Sequence, residues 1–128
     1  MRTKISVDDH FIRAELRGRE TAAETRAFLR SVADAAEAAG QTRVLIVVTA
    51  SKPLFAVEKF GVSSYFAMLR SREGSRVAMV GDTDELRAAH EYLELLAIQH
   101  GVNVRSFTSE RAALAWLLTE QHLPTTAG

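Results

Sequence analysis

Histidines, carboxylates and serines are the side chains here that could move protons, hold a metal or attack a carbonyl, and their spacing decides whether they do. His10, His90, His100 and His122 are scattered along the 128 residues, and no His-Glu-x-x-His run puts two of them on one helical face. His90 and Glu94 stand four apart, where an exposed pair on a helix surface is the expected arrangement. The chain has no cysteine, which excludes disulfides, thiolate catalysis and Cys-based metal sites. No Gly-x-Ser-x-Gly elbow presents a serine nucleophile. The seven glycines stand apart, so neither Gly-x-Gly-x-x-Gly nor Gly-x-x-x-x-Gly-Lys-Ser/Thr is there to cradle a phosphate. The expectation is a protein that is not an enzyme, with no catalytic residue, no metal and no cofactor.

Charge narrows the partners. Asp82, Asp84 and Glu85 sit where a helix should open after a strand, and carboxylates there would repel a phosphate. Asp82 reads instead as the helix cap, with Glu85 completing a capping box. A receiver-type phosphoswitch needs a carboxylate ending its central strand, and Val48-Thr49-Ala50 supplies none. Arg70, Arg72 and Arg76 cluster around Gly74, but without interleaved aromatics they read as a solvated loop. Sixteen basic and sixteen acidic residues cancel, so no overall field draws nucleic acid or an anionic membrane. The longest apolar run, Ala112 to Leu118, falls far short of the roughly 20 residues a spanning helix needs, so no stable membrane insertion is expected. No apolar leader follows Met1, and a cytoplasmic protein is the expectation. Thirteen arginines against three lysines, with twenty alanines, suggest a bacterium with a GC-rich genome.

What remains is the stretch 50–66. Leu54, Phe55, Val57, Phe60, Tyr65 and Phe66 gather large apolar side chains just beyond a central strand. In a parallel α/β sheet, ligands usually sit at that carboxyl end. The competing reading is a loop folded inward as ordinary core.

The elements that must position these residues follow from periodicity. Strands are expected at about 3–8, 10–17, 43–49, 76–81 and 103–107. The first two alternate apolar and polar residues across an Asp8-Asp9-His10 turn and form an antiparallel hairpin. Val44 to Val48 is continuously apolar, as suits a strand buried on both faces. Thr21 and Glu24 make a capping box for a helix over about 22–39, and Gly40 stops it. A second helix begins by Val62 without a good cap, a third runs from Asp82 to Gly101, and Thr108 caps a fourth containing Trp116. Trp116 reads as an anchor at the core edge rather than a ligand platform. The order ββαβαβαβα implies one three-layer α/β domain over 1–120. Its five-stranded sheet is mostly parallel, with an antiparallel hairpin strand at one edge and helices on its faces. Residues 121–128 read as a flexible C-terminal tail.

Arg76-Val77-Ala78-Met79-Val80-Gly81-Asp82, and the ending Val104-Arg105-Ser106-Phe107 followed by Ala112-Ala113-Leu114-Ala115-Trp116-Leu117, resemble the SpoIIAA-like proteins of the STAS superfamily. The likeness spans nearly the whole chain. It implies a mixed-sheet α/β domain that works by protein contact or small-ligand binding, without catalysis. Members of this branch are likened to lipid-carrying folds whose loop-helix swings away from an apolar cavity. Classical anti-sigma factor antagonists carry a phosphorylated serine in an Asp-Ser-Ser/Thr-Gly motif. Here Thr49-Ala50-Ser51-Lys52 and Ser63-Ser64 lack the flanking acid and glycine, so no phosphoswitch carries over.

Two functions stay open. One is a regulatory protein-binding module that uses 50–66 as its surface, for another protein or a second copy in a homodimer. The other is a carrier of a small apolar or lipid-like ligand with 50–66 as a mobile lid.

Overall fold

The computed structural model describes residues 1–53 and 60–119, and the proposed tail at 121–128 lies outside them. Five strands form one sheet: β1 (Arg2–Val7), β2 (Ile12–Arg17), β3 (Arg43–Thr49), β4 (Arg76–Gly81) and β5 (Val104–Phe107). Their spatial order is β1-β2-β3-β4-β5, with β1 antiparallel to β2 and all other pairs parallel. Among the described residues the helices are α1 (Ala22–Ala39), α2 (Val62–Arg70), α3 (Asp84–Gln99) and α4 (Glu110–Leu117). This is the mixed α/β sheet expected from the alternation, with strand bounds within two residues.

Burial explains the layering. All five residues from Val44 to Val48 are buried, and they alternate between two cores. Val44, Ile46 and Val48 join Ile12, Leu16, Val77 and Met79 under the inner stripes of α1, α2 and α3. Leu45 and Val47, with Ala78 and Val80, pack on Ala113 and Leu117 of α4. Among the described residues, three helices therefore cover one face and one helix covers the other. Each fully buried aliphatic contributes about 1.5–3 kcal/mol over its exposed state, so β3 is worth more buried twice than any neighbour buried once.

Local signals place the helix ends. The Thr21 hydroxyl accepts from the Glu24 N–H while the Glu24 carboxylate accepts from the Thr21 N–H, and Gly40 ends α1 in the left-handed region at φ 65°. For α3 the cap is Thr83, whose hydroxyl accepts from the Leu86 N–H at 3.1 Å. Asp82 is not the cap. Its carboxylate is drawn across the strand ends to accept from the Ala50 N–H at 3.2 Å. Ala50 itself is left-handed, at φ 49°, a conformation that costs a non-glycine residue roughly 1 kcal/mol or more. Likewise α4 is capped by Ser109, accepting from Ala112 N–H, rather than by Thr108.

Arg76 also departs from expectation. It is buried at the start of β4 instead of solvated, and donates to the carbonyls of Trp116 and Leu117 at 2.7 and 3.4 Å. Its guanidinium lies 5.4 Å from the Trp116 ring centroid. A cation so placed satisfies the carbonyls at the end of α4. At the other end Glu110 takes a two-pronged contact from Arg13 of β2, at 3.0 and 2.9 Å. Trp116 is half-buried and packs on Phe107, as expected of a core-edge residue.

Gly81 sets how closely α3 approaches β4. A Cβ there would stand 2.8 Å from Leu86 Cβ and 3.2 Å from His90 Cε1. Gly81→Ala should therefore cost about 1–3 kcal/mol in urea unfolding, the range for an overpacked core, and an unchanged midpoint would refute this close approach. Thr83→Ala should cost about 1 kcal/mol as a lost cap. Asp82→Ala should cost less, and the reverse order by thermal melting would restore Asp82 as the cap.

Candidate binding site

Of the six apolar residues singled out in 50–66, Leu54, Phe55 and Val57 lie outside the described residues. Phe60 is half-buried against the larger core, with the Arg19 guanidinium 5.8 Å from its ring centroid. Tyr65 and Phe66 are buried on the inner stripe of α2, and the Phe66 ring tilts against His100 at 5.5 Å. Burial pushes the Tyr65 hydroxyl above the usual phenol range, and that hydroxyl has no hydrogen-bond partner among the described residues. The start of α2 has no side-chain cap, as its sequence implies, and Gly61 precedes it in the left-handed region at φ 75°.

Sequence reasoning missed a second group of residues at the carboxyl ends of β2, β3 and β4. Gly18, at φ 76°, ends β2 and turns Arg19 back over the sheet. The Arg19 N–H donates to Ser51 Oγ at 2.9 Å, and its carbonyl accepts from the Lys52 N–H at 3.1 Å. Its Nη2 donates to the Lys52 carbonyl. Ser51 Oγ in turn donates to the Thr49 carbonyl. These bonds lock the exit of β3 to the exit of β2, and the Arg19 side chain goes inward.

Inside, Arg19, Thr25 and His90 are each at least 96% buried (4, 3 and 4% exposed), yet Arg19 Nε, Thr25 Oγ1 and His90 Nδ1 have no hydrogen-bond partner among the described residues. All three residues line one cavity of about 50 Å³. Its walls are otherwise apolar: Phe28, Ile46, Val48, Val62, Met79 and Leu93 among them. Each orphaned buried polar group costs about 1–3 kcal/mol, more for a charged one, so three around one void are a concentrated expense.

Electrostatics separate the two basic groups. Burial pulls the Arg19 guanidinium below its ordinary range, and the attraction of Glu24 offsets only part of that. A guanidinium nonetheless stays protonated in a protein. Among the described residues Arg19 has no carboxylate within ion-pair distance. Burial, helped by the Arg19 charge, lowers the His90 pKa to about 4, so this imidazole is neutral at pH 7. The expected exposed pairing of His90 with Glu94 is not formed. His90 falls on the buried stripe with Leu86, Leu93 and Ala97, while Glu94 accepts from Ser106 N–H and Oγ at 3.0 and 2.9 Å. The helical spacing of His90 from Leu86 was the signal available in the sequence.

A shallower groove of about 220 Å³ lies on the outside, between α1 and α2. Leu29, Ala33, Tyr65 and Met68 form its floor, and Arg26 and Arg30 stand on its rim. Leu29 lines both the groove and the inner cavity. Among the described residues no group of three or more His, Cys, Asp or Glu could hold a metal ion, and no helix is long and apolar enough to cross a membrane.

The buried imidazole has a pH signature. Its pKa is about 4 folded and 6.5 in the open chain, so the unfolded state binds more protons between those values. Stability is then lost as pH falls from 6.5 towards 4. His90→Leu should remove that loss, gaining on the wild type by up to about 3 kcal/mol across the window in urea unfolding. Parallel curves for the two proteins would show that His90 is not held neutral.

No curated protein and no solved structure matches this chain. The SpoIIAA-like family model does, over residues 11–118, from the end of the hairpin turn through α4. That span covers the parallel strands β2 to β5, the helices α1 to α4 and every residue lining the inner cavity; with the antiparallel β1 just before it, the mixed sheet is consistent with a STAS-like domain. The chain belongs to the SpoIIAA-like family.

Proposed function

We propose that this protein is a non-enzymatic, STAS-type binding module whose partner is another protein, held against the 50–66 side of the molecule. On this reading the outer groove between α1 and α2, with Phe60 beside it, is the docking surface, and Leu54, Phe55 and Val57 are further contacts for the partner. The observation that carries the reading is the groove itself, an apolar floor of Leu29, Ala33 and Met68 under a rim bearing Arg26 and Arg30. That combination suits an acidic amphipathic segment, whose apolar side chains fill the floor while its carboxylates meet the rim. A buried imidazole with a pKa near 4 is also poorly matched to proton transfer at neutral pH, which supports a non-catalytic role.

A second reading, a carrier of a small apolar or lipid-like ligand, is favoured by one observation: the inner cavity with its three orphaned polar groups. Native mass spectrometry separates the two, since a carrier should emerge with bound ligand.

The docking reading is tested at Arg30, which is exposed. A photo-crosslinker placed there should trap an acidic, apolar segment of one partner, while the same probe at Lys4 on β1 should not. Arg30→Glu should weaken that partner's binding while changing stability by less than about 0.5 kcal/mol, as for an ordinary surface substitution. The same segment trapped at both positions, or undiminished binding by Arg30→Glu, would sink the assignment. A second copy of this chain trapped at Arg30 would replace the foreign partner with a homodimer.

A further inference from the structure

The sheet has two edges, and the chain treats them differently. β5 is short, and the outward-facing N–H of Ser106 is taken by the Glu94 carboxylate of α3 at 3.0 Å. An edge blocked that way is a poor template for another strand. β1 has no such guard. The Asp8 N–H donates to the Phe11 carbonyl at 2.9 Å, so the alternate residues Ser6, Lys4 and Arg2 also turn their backbone groups towards β2. Those of Thr3, Ile5 and Val7 point away from the sheet, and none of them is bonded among the described residues. We infer that this edge takes the same strand of a second copy, antiparallel, so that two molecules form one continuous sheet about a two-fold axis between their Ile5 residues. The inference stands apart from the groove between α1 and α2 and does not rest on it.

Charge and parity select the register. A two-fold axis perpendicular to the sheet keeps each face on its own side, so odd positions can oppose only odd ones and even positions only even ones. With Ile5 opposite Ile5 of the second copy, Thr3 meets Val7, Lys4 meets Ser6 and Arg2 meets Asp8. The outward backbone groups of Thr3, Ile5 and Val7 then pair with one another in about six inter-strand hydrogen bonds. Arg2 is exposed and makes no ion pair among the described residues. Asp8 uses one carboxylate oxygen to accept from the His10 N–H and keeps the other for Arg2 of the second copy. Symmetry makes that contact twice. Val7, 60% exposed in the single chain, gains Thr3 as a neighbour. Sliding two residues one way sets Lys4 against Lys4, a like-charge pair. Sliding the other way carries Thr3 past the strand end, onto Asp9 in the turn.

Two consequences follow from the symmetry and the size of the contact. The face covered by α1 lies on the same side in both copies, so both grooves open in one direction, as suits a partner that offers two segments. A strand-edge contact is small against the roughly 1,200 Å² at which stable interfaces begin, so the dimer is weak and grows with concentration.

Sedimentation equilibrium of the full chain at rising concentration should show a monomer–dimer equilibrium. Thr3→Pro removes an outward N–H and leaves the β1–β2 ladder untouched, so it should weaken the dimer about ten-fold or more with little change in thermal midpoint. Arg2→Asp and Asp8→Arg should each weaken it by about three- to ten-fold, and the double exchange should recover it. Because the chain has no cysteine, disulfides can report the register. Lys4→Cys mixed with Ser6→Cys should oxidise to a mixed dimer, since these positions face each other at about 4.5 Å between Cα atoms. Lys4→Cys alone should crosslink about ten-fold more slowly, being set diagonally to its own copy. A chain that stays monomeric throughout would overturn the inference. So would a dimer indifferent to Thr3→Pro, or Lys4→Cys alone crosslinking as fast as the mixture.

Discussion

Five consecutive side chains, Val44 to Val48, have to leave water on two opposite sides at once. No single layer of helices can do that. The chain meets the demand unevenly, with α1, α2 and α3 on one side and α4 alone on the other. Much of the remaining structure serves this arrangement. Arg13 grips the first turn of α4 through Glu110, and Arg76 holds its last carbonyls, so the lone covering helix is fastened at both ends. Gly81 does the corresponding work on the crowded side by letting α3 lie against β4 without a Cβ between them.

The crowded side is also where the molecule tolerates unfavourable chemistry. Arg19 and His90 are both buried, and the charge of one helps keep the other neutral. Ala50 is held in a left-handed conformation beside them, fixed by Asp82. Features of this kind persist where the surroundings over-determine them. Here the surroundings are the ends of β2 and β3, tied together by Thr49, Ser51 and Lys52, and the end of β4, joined to them by Asp82.

Much of the architecture is legible from sequence because it rests on local or strongly periodic signals. The Val44–Val48 run, the Thr21 and Glu24 box and the Gly40 stop each act within a few residues. The errors share a different origin. Asp82 and Thr83 are both competent caps, and the choice between them is made by Ala50, far away in sequence. Arg76 reads as part of a basic loop, but it begins a strand that passes under the end of α4. Arg19 follows a turn glycine and carries no local mark of burial, so the sequence alone does not single it out; the packing of α1, α2 and α3 buries it. The polar cavity residues Arg19, Thr25 and His90 are invisible for the same reason, since no two of them are sequence neighbours. His90 is the exception, because its place on an apolar helical stripe could have been read.

The strands lie in space in the order in which the chain supplies them, β1 through β5. During synthesis each new strand can therefore dock on the one made just before it, and none has to be threaded between two already paired. The exception to this steady growth is the cover for Leu45 and Val47. It comes from Ala113 and Leu117, made after every strand is complete. A nascent chain that has not yet released α4 carries an open apolar strip across β3 and β4, of the kind chaperones and neighbouring chains bind. Closure of the second core thus waits until α4 has been made, and that short helix decides when this strip stops being sticky.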